Sequence, residues 1–219
     1  MTRPSPLGGL WLPIVTPFRD GAVDFASYER LLTHYLALGI DGVFPLGTTG
    51  EAPTLDDDES EALVRCTLEV VAGRVPVFVG VGGNATAKVV KTLERWAGLP
   101  FDGIVSVCPY YNRPAQDGLV AHFRAIAAAA GRPVAIYNIP YRTGRVLGAS
   151  GILEIAAHPN VAGIKQSVGA LEADTLEVLA AAPEGFSVLS GEDPYILPIL
   201  LLGGLGAIFF AGLWAWMFP

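Results

Sequence analysis

The chain contains three lysines, and one of them stands in surroundings that are unusual for this residue type. Lys165 ends the apolar run 161–164, with no carboxylate within six residues on either side. Burial of an ammonium group lowers its pKa and leaves a neutral amine, which attacks carbonyl carbons and forms Schiff bases. We therefore expect Lys165 to be a nucleophile. The alternative is a lysine that extends from a strand end into solvent.

Two glycine-containing motifs offer other chemistry. The loop 47–51 (Gly-Thr-Thr-Gly-Glu) lacks the lysine of a phosphate-binding loop, but its hydroxyls and amides suit a small carboxylate. A helix N-cap with turn glycines is the alternative. The pattern Gly80-x-Gly82-x-x-Ala85 matches the dinucleotide fingerprint of oxidoreductases. Asp102 precedes the next strand instead of ending it, so the acid of that fingerprint is missing and the match is weak.

The elements that must position these residues alternate regularly along the chain. Eight short runs are typical of strands and are mostly continuously apolar, as in parallel sheets covered on both faces: 10–16, 42–46, 75–81, 103–108, 134–138, 161–165, 186–189 and 205–210. Helical patterns lie between them, at 24–38, 55–71, 86–96, 118–130 and 169–181. This rhythm predicts an α/β fold, either a (β/α)₈ barrel or an open doubly wound sheet.

The position of the polar residues favours the barrel. Seven of the runs are followed by hydroxyls, amides, glycines or the lysine, at 16–17, 47–51, 82–84, 109–112, 137–138, 165–167 and 190–193. Barrel enzymes gather their functional groups at the carboxyl ends of the strands. We expect one domain over residues 1–219, a (β/α)₈ TIM barrel that ends almost immediately after its eighth strand.

Composition excludes several classes of protein. Apolar residues make up 52% of the chain and charged residues 16%, which excludes disorder. A net charge of −7 argues against a nucleic-acid partner. Two isolated cysteines, Cys66 and Cys108, fit a reducing cytoplasm, and the N-terminus shows no signal peptide. The three histidines lack the spacing of a metal site.

A membrane span is an alternative for residues 195–219, which carry no charge over 25 residues. Pro198 and the glycines at 203, 204 and 206 interrupt this stretch. Interruptions of that kind favour a buried helix and strand of a barrel, so we expect no membrane partner.

Six motifs together carry a family resemblance: 10–18, 47–51, 108–114 (Cys-Pro-Tyr-Tyr-Asn-Arg-Pro), 137–144 (Tyr-Asn-Ile-Pro-Tyr-Arg-Thr-Gly), 163–165 and 189–193. In order and spacing they resemble the dihydrodipicolinate synthases, in the superfamily of pyruvate-dependent class I lyases and aldolases that includes N-acetylneuraminate lyase. The resemblance covers residues 10–208. It implies a lyase that condenses pyruvate with L-aspartate 4-semialdehyde on the pathway to lysine and diaminopimelate.

The resemblance also implies roles for particular residues. Lys165 would form the imine with pyruvate, so that no metal or organic cofactor is needed, and Tyr137 would be the general acid and base. Thr49 would link Tyr137 to Tyr111 of a neighbouring subunit in a homo-oligomer, a dimer or tetramer. The remaining implied contacts are with substrate: Thr48, Thr49 and Ile208 at the pyruvate carboxylate, and Arg142 at the carboxylate of the aldehyde.

The sequence departs from the family pattern in three places. Tyr141 replaces a small residue before Arg142, which we expect to narrow the mouth of the site. Gln166-Ser167 replaces an acid-containing continuation after the lysine. After Ile208 the family continues into an eighth helix and a C-terminal helical extension, so the resemblance implies a barrel that lacks its last helix and that extension. The alternatives left open are another pyruvate-dependent aldolase, of the sialic acid or keto-sugar-acid type, and an inactive truncated fragment.

Overall fold

A barrel of parallel strands forms the centre of the computed structural model, which describes residues 7–208. The strands are β1 (Gly9–Pro13), β2 (Phe18–Arg19), β3 (Ala22–Val23), β4 (Gly42–Phe44), β5 (Phe78–Gly80), β6 (Gly103–Val107), β7 (Val134–Asn138), β8 (Val161–Gln166), β9 (Ser187–Ser190) and β10 (Gly206–Ile208). All except the antiparallel pair β2–β3 belong to one sheet of eight strands, in the order β4-β1-β10-β9-β8-β7-β6-β5.

The two ends of that sheet meet, which distinguishes a barrel from an open sheet. Val43 in β4 pairs in parallel with Val77, next to β5. The Val43 amide donates to the Pro76 carbonyl at 3.0 Å, and the Gly80 amide donates to the Pro45 carbonyl at 2.9 Å. The (β/α)₈ barrel expected from the sequence is confirmed, and the open doubly wound alternative is wrong.

Eight α-helices lie between the strands in residues 7–208: α1 (Phe25–Ala37), α2 (Asp57–Val71), α3 (Thr86–Arg95), α4 (Gln116–Ala130), α5 (Pro140–Thr143), α6 (Ala149–Ala156), α7 (Ala173–Ala181) and α8 (Ile196–Leu201). Helix α2, which the sequence predicted at 55–71, begins with a hydrogen-bonded cap. The Asp56 side chain accepts hydrogen bonds from the amides of Asp58 and Glu59, and the Asp56 amide donates to the Glu59 carboxylate at 3.0 Å. This capping box satisfies amides that have no partner within the helix.

The barrel interior is filled at its amino-terminal end by aromatic rings. Trp11 and Phe78 meet edge to face, with ring centres 5.0 Å apart. Two glycines on neighbouring strands make room for them, because a Cβ on Gly42 would lie 2.4 Å from the Trp11 ring and one on Gly103 would lie 2.4 Å from the Phe78 ring. Interiors are packed at crystal density, so this end of the barrel is closed. The polar residues lie at the other end.

The expected absence of the last helix and of the C-terminal extension falls on residues 209–219, which lie outside the described residues, as do residues 1–6. The uncharged stretch is described up to Ile208. There it forms α8 and the barrel strand β10, as the interrupting proline and glycines predicted. Within residues 7–208, none of the helices is long and apolar enough to cross a membrane.

Candidate active site

Lys165 and Tyr137 face each other across two neighbouring strands at the carboxyl end of the barrel. Lys165 in β8 is in register with Tyr137 in β7. Both are buried, each with 6% of its surface exposed. The Lys165 Nζ lies 4.1 Å from the centre of the Tyr137 ring and 5.5 Å from that of Phe44. The amine is therefore held against aromatic surface instead of reaching solvent.

This burial changes the ionisation of Lys165. Removal of the ammonium group from water lowers its pKa from 10.5 to about 7. Arg142 lowers the pKa further, whereas the carboxylates of Glu192 and Asp193 raise it and partly offset the burial. At neutral pH a large fraction of Lys165 is thus a neutral amine, the form that attacks a carbonyl carbon.

Two hydroxyl groups lie beside the phenol of Tyr137. Burial raises the pKa of Tyr137, and hydrogen bonding to Thr48 and to Ser167 lowers it in part. The sequence analysis assigned the contact with Tyr137 to Thr49, and here the structure differs, because the hydroxyl at Tyr137 belongs to Thr48. The two threonines follow each other in the loop after β4, so they point in different directions, and the sequence alone did not say which one faces β7.

The predicted substrate-binding residues surround one cavity of about 630 Å³. Its lining includes Lys165, Tyr137, Thr48, Thr49, Arg142 and Ile208. A smaller cavity of about 300 Å³ adjoins it and shares Thr48, Tyr137 and Arg142 with it. Six of the seven residues that the sequence singled out are therefore brought together around one space, from β4, β7, β8 and β10 and the turns that follow them.

The mouth of the cavity is crossed by a hydrogen bond between two loops. The hydroxyl of Tyr141, in α5 after β7, donates a hydrogen bond of 2.8 Å to Oε1 of Glu192, which follows β9. Arg142 lies next to this contact, with its guanidinium carbon 5.9 Å from the centre of the Tyr141 ring. Tyr141 also lines the cavity, as expected for a residue that narrows the mouth.

Tyr111 is the predicted residue that the structure keeps apart from the others. Its side chain is 90% exposed, and it lines neither cavity. Its backbone has a φ of 72°, in the left-handed region that non-glycine residues rarely adopt. The loop is held by the neighbouring Asn112, whose side chain donates to the Asn84 carbonyl at 3.2 Å. Within one chain Tyr111 therefore points away from Lys165.

A buried hydrogen-bond network supports the two reactive strands. Asn138 at the end of β7 donates to Gln166 Oε1 at 3.1 Å, and Gln166 Nε2 donates to Thr175 in α7 at 3.0 Å. Asn138 Nδ2 also donates to the Leu147 carbonyl at 3.1 Å, and its Oδ1 accepts from the Leu147 amide. A buried amide needs such partners. Gln166 thus ties β8, which carries Lys165, to β7 and α7. At this position, where the family pattern has an acid, an amide is hydrogen-bonded through both its oxygen and its nitrogen.

Among the residues at this site that the sequence analysis gave no role are Ser167, Gly191 and Glu192. Ser167 lies two positions after Lys165, and the period of two in a strand is the signal that could have placed it on the same face. A Cβ on Gly191 would lie 2.8 Å from Lys165 Cε and 1.9 Å from Ser167 Oγ. Gly191 therefore leaves the space in which these two side chains lie.

No group of three or more His, Cys, Asp and Glu side chains in residues 7–208 is arranged to hold a metal ion. The polar groups at the cavity are instead an amine, a phenol, hydroxyls, a guanidinium and carboxylates. Such groups bind carboxylate substrates and transfer protons.

Comparison with known proteins agrees with this site. Residues 6–211 match the dihydrodipicolinate synthetase family. The 4-hydroxy-tetrahydrodipicolinate synthase 2 of Clostridium acetobutylicum is 43% identical over 200 residues, which are 91% of this chain and 70% of that one. The solved structure of the 4-hydroxy-tetrahydrodipicolinate synthase from Methylacidiphilum fumariolicum SolV is 39% identical, with a TM-score of 0.90, over 94% of this chain and 69% of that one. A dihydrodipicolinate synthase variant described as the first monomeric one has the same TM-score at 38% identity, over 94% and 69% of the two chains. The chain belongs to the dihydrodipicolinate synthetase family.

Proposed function

We propose that this protein is a lyase that condenses pyruvate with L-aspartate 4-semialdehyde through an imine on Lys165, giving 4-hydroxy-tetrahydrodipicolinate for lysine and diaminopimelate biosynthesis. The observation that carries the proposal is a buried lysine with a pKa near 7, set against a tyrosine at the carboxyl end of a barrel. Relatives about 40% identical over nine-tenths of the chain carry the name of that synthase.

The reaction begins with attack of the neutral Lys165 amine on the ketone carbon of pyruvate. Loss of water from the resulting carbinolamine needs a proton, which Tyr137 supplies to the leaving hydroxyl. The imine then withdraws electrons from the methyl group, so a proton leaves that carbon and an enamine forms. The enamine attacks the aldehyde carbon, and the new alkoxide takes up a proton. The amino group that came with aspartate semialdehyde then attacks the imine carbon, which closes the ring and expels the Lys165 amine.

The residues around the cavity suit the two carboxylates of the substrates. The amides and hydroxyls of Thr48 and Thr49 bind the carboxylate of pyruvate, and Ile208 covers it from β10. Arg142, at the mouth, binds the carboxylate of the aldehyde with its planar fork of donors. No metal or organic cofactor takes part, because the lysine imine itself is the electron sink.

The proton path leads outward from Tyr137. Thr48 connects Tyr137 to Tyr111 of a second copy of the chain, since Tyr111 points away from its own cavity. We accordingly propose a homo-oligomer, a dimer or tetramer, that works in the cytoplasm.

Trapping of the imine tests the central step. The protein is incubated with pyruvate and borohydride, and intact and peptide mass spectra are recorded. One reduced pyruvyl group is expected on the peptide that contains Lys165, and none on the peptides with Lys88 and Lys91. Lys165→Arg should prevent both the labelling and the condensation, because a guanidinium stays protonated and cannot attack. Labelling of the other lysines instead would overturn the assignment.

A further inference from the structure

Ser167 is a buried hydroxyl beside the reactive pair, and the mechanism above gives it no role. Its side chain is fully buried. Within residues 7–208 its Oγ makes no well-formed hydrogen bond, and the group that it approaches is the phenol of Tyr137. Most buried hydroxyls have a partner, because leaving one unpaired is costly. A hydroxyl that is kept unpaired beside a catalytic centre therefore needs an explanation.

The fold aims this hydroxyl at the centre. Ser167 follows the end of β8, two residues after Lys165, so both side chains leave the same face of the chain. Its amide donates to the Asn138 carbonyl at 2.9 Å, which continues the β7–β8 ladder one step beyond Tyr137 and Lys165. The missing side chain of Gly191 leaves the space that Oγ occupies, since a Cβ there would be 1.9 Å from it.

The phenol of Tyr137 lies beside this hydroxyl. Ser167 lies close enough to it to lower the pKa of Tyr137, as Thr48 does. The two hydroxyls come from different strands: Thr48 follows β4, and Ser167 follows β8. Tyr137 in β7 therefore has two hydroxyl neighbours, which come from different elements. Of the two, only Thr48 belongs to the proposed proton path.

We propose that Ser167 is a positioning residue for Tyr137, whose hydroxyl donates a hydrogen bond to the phenolate oxygen when Tyr137 has given up its proton. This inference rests on the proposed role of Tyr137 as general acid. When the proton passes from Tyr137 to the leaving hydroxyl of the carbinolamine, the negative charge remains on the phenolate oxygen. The Ser167 O–H then finds in the phenolate a stronger acceptor than the neutral phenol of the resting protein, and its own proton stays on Oγ throughout.

The test compares four full-length proteins: wild type, Ser167→Ala, Ser167→Thr and Ser187→Ala. Ser187→Ala is the matched control, because Ser187 is also a fully buried serine without a hydrogen-bond partner within the described residues, and it lies in β9 away from both cavities. Turnover, pyruvate trapping and the ultraviolet titration of tyrosine are measured for each. A Tyr137→Phe protein identifies which part of the titration belongs to Tyr137.

Ser167→Ala should lower kcat by roughly ten- to a hundred-fold, as expected for a hydrogen bond to a charged group, with the KM for pyruvate little changed. The Tyr137 part of the titration should move to higher pH. Ser167→Thr, which keeps the hydroxyl, should restore most of both values, and Ser187→Ala should match the wild type.

The titration decides the inference even without turnover. An unchanged Tyr137 titration in Ser167→Ala would overturn the role of Ser167, whatever the rates. If the wild type does not trap pyruvate, the proposed function fails, and a shift in the Tyr137 titration would still support the hydrogen bond. Equal losses in Ser167→Ala and Ser187→Ala would mean that burial of a serine matters only for folding, and would also overturn the inference.

Discussion

Lys165 combines two properties that oppose each other in a folded protein. An ammonium group is stable in water, whereas this side chain is enclosed by Tyr137, Phe44 and the cavity wall. Burial moves its pKa from 10.5 to about 7, while Glu192 and Asp193 keep it from falling further. The amine is therefore matched to neutral pH, where about half of it is unprotonated and nucleophilic.

The pH dependence of imine formation follows from this pKa. Raising the pH removes the proton from Lys165, so the rate of imine formation should rise about tenfold per pH unit below pH 7 and level off above it. Single-turnover trapping of pyruvate with borohydride across pH 5–10 measures it. A rate that keeps rising towards pH 10 would show that Lys165 is an ordinary, solvated lysine.

The two adjacent threonines give a second prediction at the residue scale. Thr48→Val removes the hydroxyl beside Tyr137 and should lower kcat by about 10²-fold, the lower end of what general acid–base groups contribute. Thr49→Val leaves that contact in place and should mainly raise the KM for pyruvate. Steady-state kinetics of both variants separate the two roles. Reversed effects would return the contact with Tyr137 to Thr49.

Arg142 decides between two activities of the superfamily. Arg142→Ala should raise the KM for aspartate semialdehyde by roughly ten- to a hundred-fold, because a charge-assisted hydrogen bond contributes about 1.5–3 kcal/mol. The KM for pyruvate should change far less. Assays with each substrate varied in turn measure both values, and equal losses would remove Arg142 from the second-substrate site. Cleavage of sugar acids by the wild type, without use of aspartate semialdehyde, would replace the synthase by a lyase of the sialic acid type.

At the scale of elements, the ends of β8 and β9 must approach closely for Lys165 to reach the cavity. Gly191 permits this approach, because any Cβ would meet Ser167 and the Lys165 stem. Gly191→Ala should therefore displace the lysine, lowering the trapping rate and destabilising the protein by about 1–3 kcal/mol, the usual cost of overpacking.

Trapping kinetics and urea unfolding measure these effects. Gly98→Ala is a suitable control, since the space around Gly98 is open to a methyl group. If both alanine variants behave like the wild type, the contact between β8 and β9 tolerates an extra methyl group, and the close approach is not required.

The elements that were predicted well are those with a strong local pattern. The strand β8 is a continuous apolar run, and the amphipathic α1 lies within two residues of the predicted range. The helices α5 and α6 escaped prediction. Helix α5 is a single turn that begins at Pro140, and α6 is only eight residues long and carries Gly151 in its interior. Short helices of this kind are stabilised by tertiary packing, which a sequence pattern does not record.

The candidate site shows the same division. Lys165 and the loop 47–51 were found because their residue types are unusual in their places. Two features of the site depend on the direction of side chains where a strand becomes a loop: which threonine faces Tyr137, and the position of Ser167 beside the same phenol. The regular alternation of a strand ends there, so the sequence no longer fixes those directions.

At the scale of the whole molecule, Tyr111 is the residue that a single chain leaves unexplained. It exposes 90% of its surface, and its backbone has a positive φ, which costs stability. Within residues 7–208 it lines neither of the two cavities. In a two-fold symmetric dimer the same surface meets itself, so each Tyr111 would extend into the cavity of the other subunit.

Complementation between inactive variants tests this exchange. Lys165→Arg lacks the nucleophile and Tyr111→Phe lacks the outer hydroxyl, so each alone should be nearly inactive. When the two are co-expressed, a mixed dimer contains one site with Lys165 from one subunit and Tyr111 from the other. Random pairing should then restore roughly a quarter of the wild-type turnover.

The matched control pairs Lys165→Arg with Tyr137→Phe, whose lost groups belong to the same chain's cavity, and this pair should stay inactive. Recovery in both pairs, or in neither, would place Tyr111 outside the site of the neighbouring subunit.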